Sequence, residues 1–84
     1  MRIPKKFIVS GAGVASSNGE FIKNNLNSDF FYNQNGSHIE LTADGWLLMD
    51  KIVDEQTYLI STDFNNVQAA GDCILPVPTV EVIE

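Results

Sequence analysis

Glycine follows asparagine or aspartate at 18–19, 35–36 and 44–45, and asparagine and aspartate recur through 24–29 and 63–66. Asn-Gly and Asp-Gly pairs tolerate the positive φ angles of tight hairpin turns, and lone asparagines and aspartates bond to their own backbone in turns. Punctuation this dense leaves short segments between turns. Those segments are rich in Phe, Ile, Tyr, Val and Thr, the side chains that suit a pleated, half-buried surface. The pattern predicts an all-β fold: a small antiparallel β-meander of about six to seven short strands, arranged as a sandwich or a partly open barrel. Strands are expected from Lys6 to Ser10, Glu20 to Lys23, Phe30 to Asn33, Ser37 to Leu41, Trp46 to Asp50, Thr57 to Ser61 and Thr79 to Ile83.

Alternation assigns the faces. Ile39 and Leu41 oppose His38 and Glu40. Trp46, Leu48 and Asp50 oppose Leu47 and Met49. Tyr58 and Ile60 oppose Thr57, Leu59 and Ser61, and Val80 and Val82 oppose Thr79, Glu81 and Ile83. The stretch "HIELTADGWLLMDK", residues 38–51, reads as a central hairpin turning at Asp44-Gly45. Residues 64–71, "FNNVQAAG", offer one helical turn at most, too short to stand alone. Residues 72–79 read as a proline-containing extended linker into the last strand, since each proline restrains itself and the residue before it.

A chain of 84 residues allows one domain, 1–84, with a core that removes roughly 60–65% of the unfolded chain's surface from water. Net charge is −6, from 5 Lys+Arg against 11 Asp+Glu. Arg2, Lys5, Lys6 and Lys23 face Glu20 alone in the first 23 residues, and the rest carries Lys51 against ten acids (eleven less Glu20). Residues 1–5 are therefore expected to be a basic, solvated tail. An acidic body repels phosphates, which argues against a nucleic-acid partner. No apolar run approaches the roughly 18 residues of a membrane helix. The opening "MRIPKKFIVSGAGVASS" has a charged start and an apolar patch, but Ser10, Gly11 and Gly13 dilute the patch, so it reads as part of the mature fold.

Chemistry-bearing motifs are sparse. "FIVSGAGVASSNG" imitates the glycine-rich turn of a dinucleotide site. Ser16 replaces the third glycine, Asn18-Gly19 breaks any following helix, and the chain is too short for a doubly wound sheet. A loop or bulge at the end of a strand is the expected structure. Asp50, Asp54 and Glu55 lack the alternating ligand spacing of a calcium loop. His38 stands alone, so no metal site is expected. Cys73 has no partner for a disulfide, and nothing in the sequence sets it beside His38 as a nucleophile. No catalytic residue and no cofactor are assigned.

The aromatics remain as candidates for contact. Phe30, Phe31 and Tyr32 are consecutive on one strand, so Phe31 must oppose the other two, and one set must face water, a loop or another chain. Phe30, Phe31, Tyr32, Trp46 and Tyr58 are the candidate interface or ligand-contacting residues. Trp46 is expected to pack the core.

The order of these signals resembles a small β-rich repeat module of phage virion proteins, of heads and tail fibres, and of other large surface proteins. The corresponding stretches are Val9 to Gly13, Asn18 to Phe21, Asn27 to Tyr32, Asn35 to Leu48, Tyr58 to Ser61 and Pro76 to Val80. Phe21 stands where the module has tyrosine, "NSDFFY" lacks its glycine and proline, and Leu48 replaces isoleucine. The resemblance implies a non-enzymatic structural or accessory protein of a virion, in head decoration or fibre attachment. Its implied partners are other virion proteins or a second copy of itself. The alternative is a module of an extracellular surface that binds glycans.

Overall fold

A computed structural model describes residues 3–24, 29–52, 54–70 and 75–83. Eight strands run through them: β1 Lys6–Ser10, β2 Gly19–Lys23, β3 Phe30–Tyr32, β4 His38–Thr42, β5 Gly45–Asp50, β6 Glu55–Ile60, β7 Val67–Ala69 and β8 Thr79–Ile83. One turn of 3-10 helix, Ala15–Ser17, lies between β1 and β2. All eight strands form one antiparallel sheet in the order β7-β6-β5-β4-β3-β2-β1-β8. The first seven follow chain order as a meander. β8 returns to cover the edge of β1, and the sheet curls into a nearly closed barrel.

Each strand read from the sequence is present, with ends displaced by at most two residues. β7 is the addition that brings the total to eight. It replaces the helical turn considered at 64–71: residues 61–66 form a turn, and Val67 to Ala69 pair with Ile60, Leu59 and Tyr58 of β6. Three residues carry no alternation to read; they become a strand because β6 offers them an edge. Gly71, Cys73, Asn25, Asn27 and Ser28 lie outside the described residues.

The inner face is the core. Phe7, Phe21, Phe31, Ile39, Trp46, Leu48, Tyr58 and Ile60 have no exposed surface. Each large apolar side chain taken out of water contributes about 1.5–3 kcal/mol. Phe7 sits at the centre, its ring edge-on to Phe31 at 4.9 Å and to Trp46 at 5.3 Å, an arrangement that suits the aromatic quadrupole.

Three expectations are corrected. Alternation sets Thr57 on the face opposite Tyr58 and Ile60, yet it is fully buried as they are. The register slips between Leu48, opposite Tyr58, and Met49, opposite Gln56, so Thr57 is the extra residue of a bulge. The β4–β5 turn consists of Ala43 and Asp44, with Gly45 already paired to Thr42 as the first residue of β5. The Thr42 hydroxyl closes that turn, donating to Gly45 O at 2.8 Å and accepting from Asp44 N at 3.2 Å. The basic segment is no tail from residue 3 onward: Pro4 is buried and Lys5 N donates to Ile83 O at 2.7 Å. Met1 and Arg2 lie outside the described residues. Of the linker at 72–79, Pro76 O accepts from Gly13 N at 3.0 Å and Pro78 is buried, while 72–74 are not described.

Candidate interaction surface

The pleat divides the aromatic triplet of β3. Phe31 points inward and is fully buried, while Tyr32 is 42% exposed and Phe30 half-buried on the outside. Pairing in this antiparallel sheet then dictates their neighbours. One row of partners crosses seven strands: Ile83, Lys6, Ile22, Tyr32, His38, Met49 and Gln56. A second row runs Phe30, Glu40, Leu47, Leu59 and Gln68. Where the rows adjoin on β3 and β4, Phe30 lies on the His38 ring at 4.4 Å and 20°, and against Tyr32 at 4.8 Å. Burial pushes the His38 pKa below its usual value, and the nearby Glu40 charge opposes that shift. The neutral imidazole is thus the favoured form in the stack.

Tyr32 also borders a hollow of about 610 Å³ lined by Glu20, Ile22, Lys23, Asn33 and Gln34. Ile22 is 58% exposed beside it. The wall of the hollow is anchored by the Asn33 side chain, whose Nδ2 donates to Ser16 O and Asn18 O at 3.0 and 3.2 Å. Its Oδ1 accepts from Asn35 N and Ser37 N, both at 3.0 Å. Glu20 pairs with Lys6 at 3.1 Å.

No family model, curated protein or solved structure matches the chain.

Of the five candidate residues, the fold exposes two. Phe31, Trp46 and Tyr58 are fully buried and cannot touch a partner. Trp46 packs among Phe7, Phe31 and Phe64, and the Tyr58 hydroxyl accepts from Val14 N at 3.1 Å. Phe30 and Tyr32 remain at the surface. Ile22 and the His38 stack were missed. Ile22 was readable as an apolar residue opposing Phe21 on β2, but its position beside Tyr32 depends on register.

Asp50 is the one fully buried carboxylate among the described residues. It accepts from Ser16 Oγ at 2.7 Å, Ser17 Oγ at 2.8 Å and Ile52 N at 2.8 Å. These bonds satisfy a charge that would otherwise be costly to bury. The cluster ties the 3-10 helix to the end of β5. Among the described residues no group of three His, Cys, Asp or Glu is placed to hold a metal, and no helix is long and apolar enough to cross a membrane.

Proposed function

We propose that this chain is a non-enzymatic accessory protein of a phage virion, in head decoration or fibre attachment. It acts through protein–protein contacts made by the outer face of β3 to β5. The observation that carries this reading is the Phe30–His38–Tyr32 cluster on the outer face, with half-buried Leu47 and Met49 on the adjoining strand. Aromatic groups fixed by strand register lose little freedom when a partner covers them, and a clustered apolar patch on a small domain marks a contact surface. The order of motifs that resembles phage modules supplies the setting. A small domain with a limited core also gains stability by binding.

The test is the Phe30→Asp variant, with folding checked by circular dichroism. Wild-type protein should be present in stoichiometric amounts in purified particles of the phage that encodes it, or oligomeric by size-exclusion chromatography with light scattering. The folded variant should be lost from the particle, or monomeric. A stable wild-type monomer absent from any particle overturns the reading.

A further inference from the structure

We infer that the outer edge of β8 is a docking site for an extended strand of a partner protein, one that carries small apolar residues at alternate positions and a basic residue between them. β8 ends the sheet, with β1 as its one neighbour among the described residues. The Ile83 carbonyl turns to β1, where it accepts from Lys5 N at 2.7 Å. Successive residues of a strand present their backbone groups to opposite sides. Thr79 and Glu81 therefore serve β1 together with Ile83, while Val80 and Val82 direct their N–H and C=O groups away from it. The other side of β1 agrees. Asn24 N donates to Phe30 O at 2.8 Å, which turns Ile22 to β3, Phe21 to β1 and Phe7 to β2, and leaves Lys6 and Ile8 for β8. Among the described residues nothing bonds to the outward groups of Val80 and Val82. Backbone groups left open in this way are what a further strand binds.

Side chains set the chemistry of that strand. Val80 and Val82 lie opposite Val9 and Phe7 on the inner face and pack on the core. They are only half-buried, although Phe7 has no exposed surface. Small apolar residues beside them would complete their cover. Glu81 lies between them on the outer face, opposite Ile8, exposed and with no ion pair among the described residues. On a body of net charge −6 it selects a basic residue. A second copy fits less well, because two β8 strands paired about their centre would oppose Glu81 to Glu81. The edge also lacks the usual protection, since Thr79–Ile83 holds no lysine or proline. This inference is independent of the assembly reading, because β8 lies at one end of the strand order, outside β3 to β5.

Hydrogen exchange and NMR titration of the full chain test it, with the synthetic peptide Lys-Val-Thr-Val-Lys-Val-Thr as the probe. In the free protein the amides of Val80 and Val82 should exchange faster than that of Glu81 between them. The peptide should bind saturably, slow that exchange, and shift the amides of Val80 and Val82 most. N-methylation of its valines, whose N–H groups would face β8, should weaken binding by about tenfold or more, as should glutamate in place of lysine, the equivalent of about 1.4 kcal/mol. Val82→Pro removes an N–H that β1 does not use, so it should keep the fold in thermal melts and lose the peptide. Equal protection of the three amides, no saturable shifts, equal binding of the N-methylated or the acidic peptide, or a folded Val82→Pro variant that still binds overturns the docking site, whatever Phe30→Asp does in the particle assay.

Discussion

Two requirements meet at Gly45. Its φ is +134°, and a Cβ there would lie 2.6 Å from the carbonyl oxygen of Ile60. Neither the backbone angle nor the close approach of β6 admits a side chain. Gly45→Val should therefore destabilise the protein by about 2 kcal/mol or more, read as a lower melting temperature; a variant melting with the wild type would place this residue elsewhere. Phe64 is the converse case, a bulky residue at φ +65°. It stays there because its ring packs on Phe7 and Trp46 and the turn beneath it is bonded. Ser61 Oγ donates to Asp63 Oδ1 at 2.7 Å, and this bond draws the Asp63 pKa below its usual value. Trp46 carries a cost of its own: its Nε1 is buried with no hydrogen-bond partner among the described residues. The indole is retained at the centre of the aromatic core for the area it buries.

At the scale of elements, the 3-10 helix depends on β5 and β6. It has no side-chain cap and spans three residues, so its position comes from Ser16 and Ser17 donating to Asp50, and from the contact of Ser17 Oγ with Thr57 Oγ1 at 3.2 Å. The β6 bulge is what turns Thr57 inward to meet Ser17. Asp50→Ala would leave buried hydroxyls and the Ile52 amide without their acceptor. The expected loss is about 3 kcal/mol or more, because hydrogen bonds to a buried charge are the costly ones to break. Asp50→Asn, which keeps an acceptor oxygen, should lose less. Denaturant melts of the two variants measure this, and equal, near-zero losses would show that the cluster holds nothing.

For the whole molecule, the decisive pairing joins the two ends of the chain. β8 lies along β1 in register from Lys6↔Ile83 to Ser10↔Thr79, and Val80 and Val82 pack on the core. Without β8 the edge of β1 would present unpaired backbone beside exposed apolar surface, the usual template for aggregation. A chain ended at Pro78 should therefore fail to reach a folded monomer, giving aggregate by size-exclusion chromatography or an unfolded circular dichroism spectrum. A soluble, β-rich truncated protein would show that the meander β1 to β7 suffices. The same topology places Ile22, Tyr32 and His38 in one row, so the contact face and the hollow exist only once the sheet has closed around its core.

Local chemistry by itself determined the fold class, most strand positions and the facing of β3, β4, β5 and β8. Turn residues punctuate at fixed places, and a two-residue alternation chooses a side wherever one face is apolar. It also required that Phe31 part from Phe30 and Tyr32. It placed Trp46 in the core, where it lies, but could not decide the fate of Tyr58, because burial depends on what lies across the barrel: the Tyr58 hydroxyl is met by Val14 from a distant segment. β7 and the 3-10 helix were decided by tertiary structure for the same reason, each being too short to carry a pattern and held by a neighbour's edge or carboxylate. The candidate site stands at that boundary. Its residues are ordinary in sequence, and register across β2, β3 and β4, which no single segment encodes, makes them one surface.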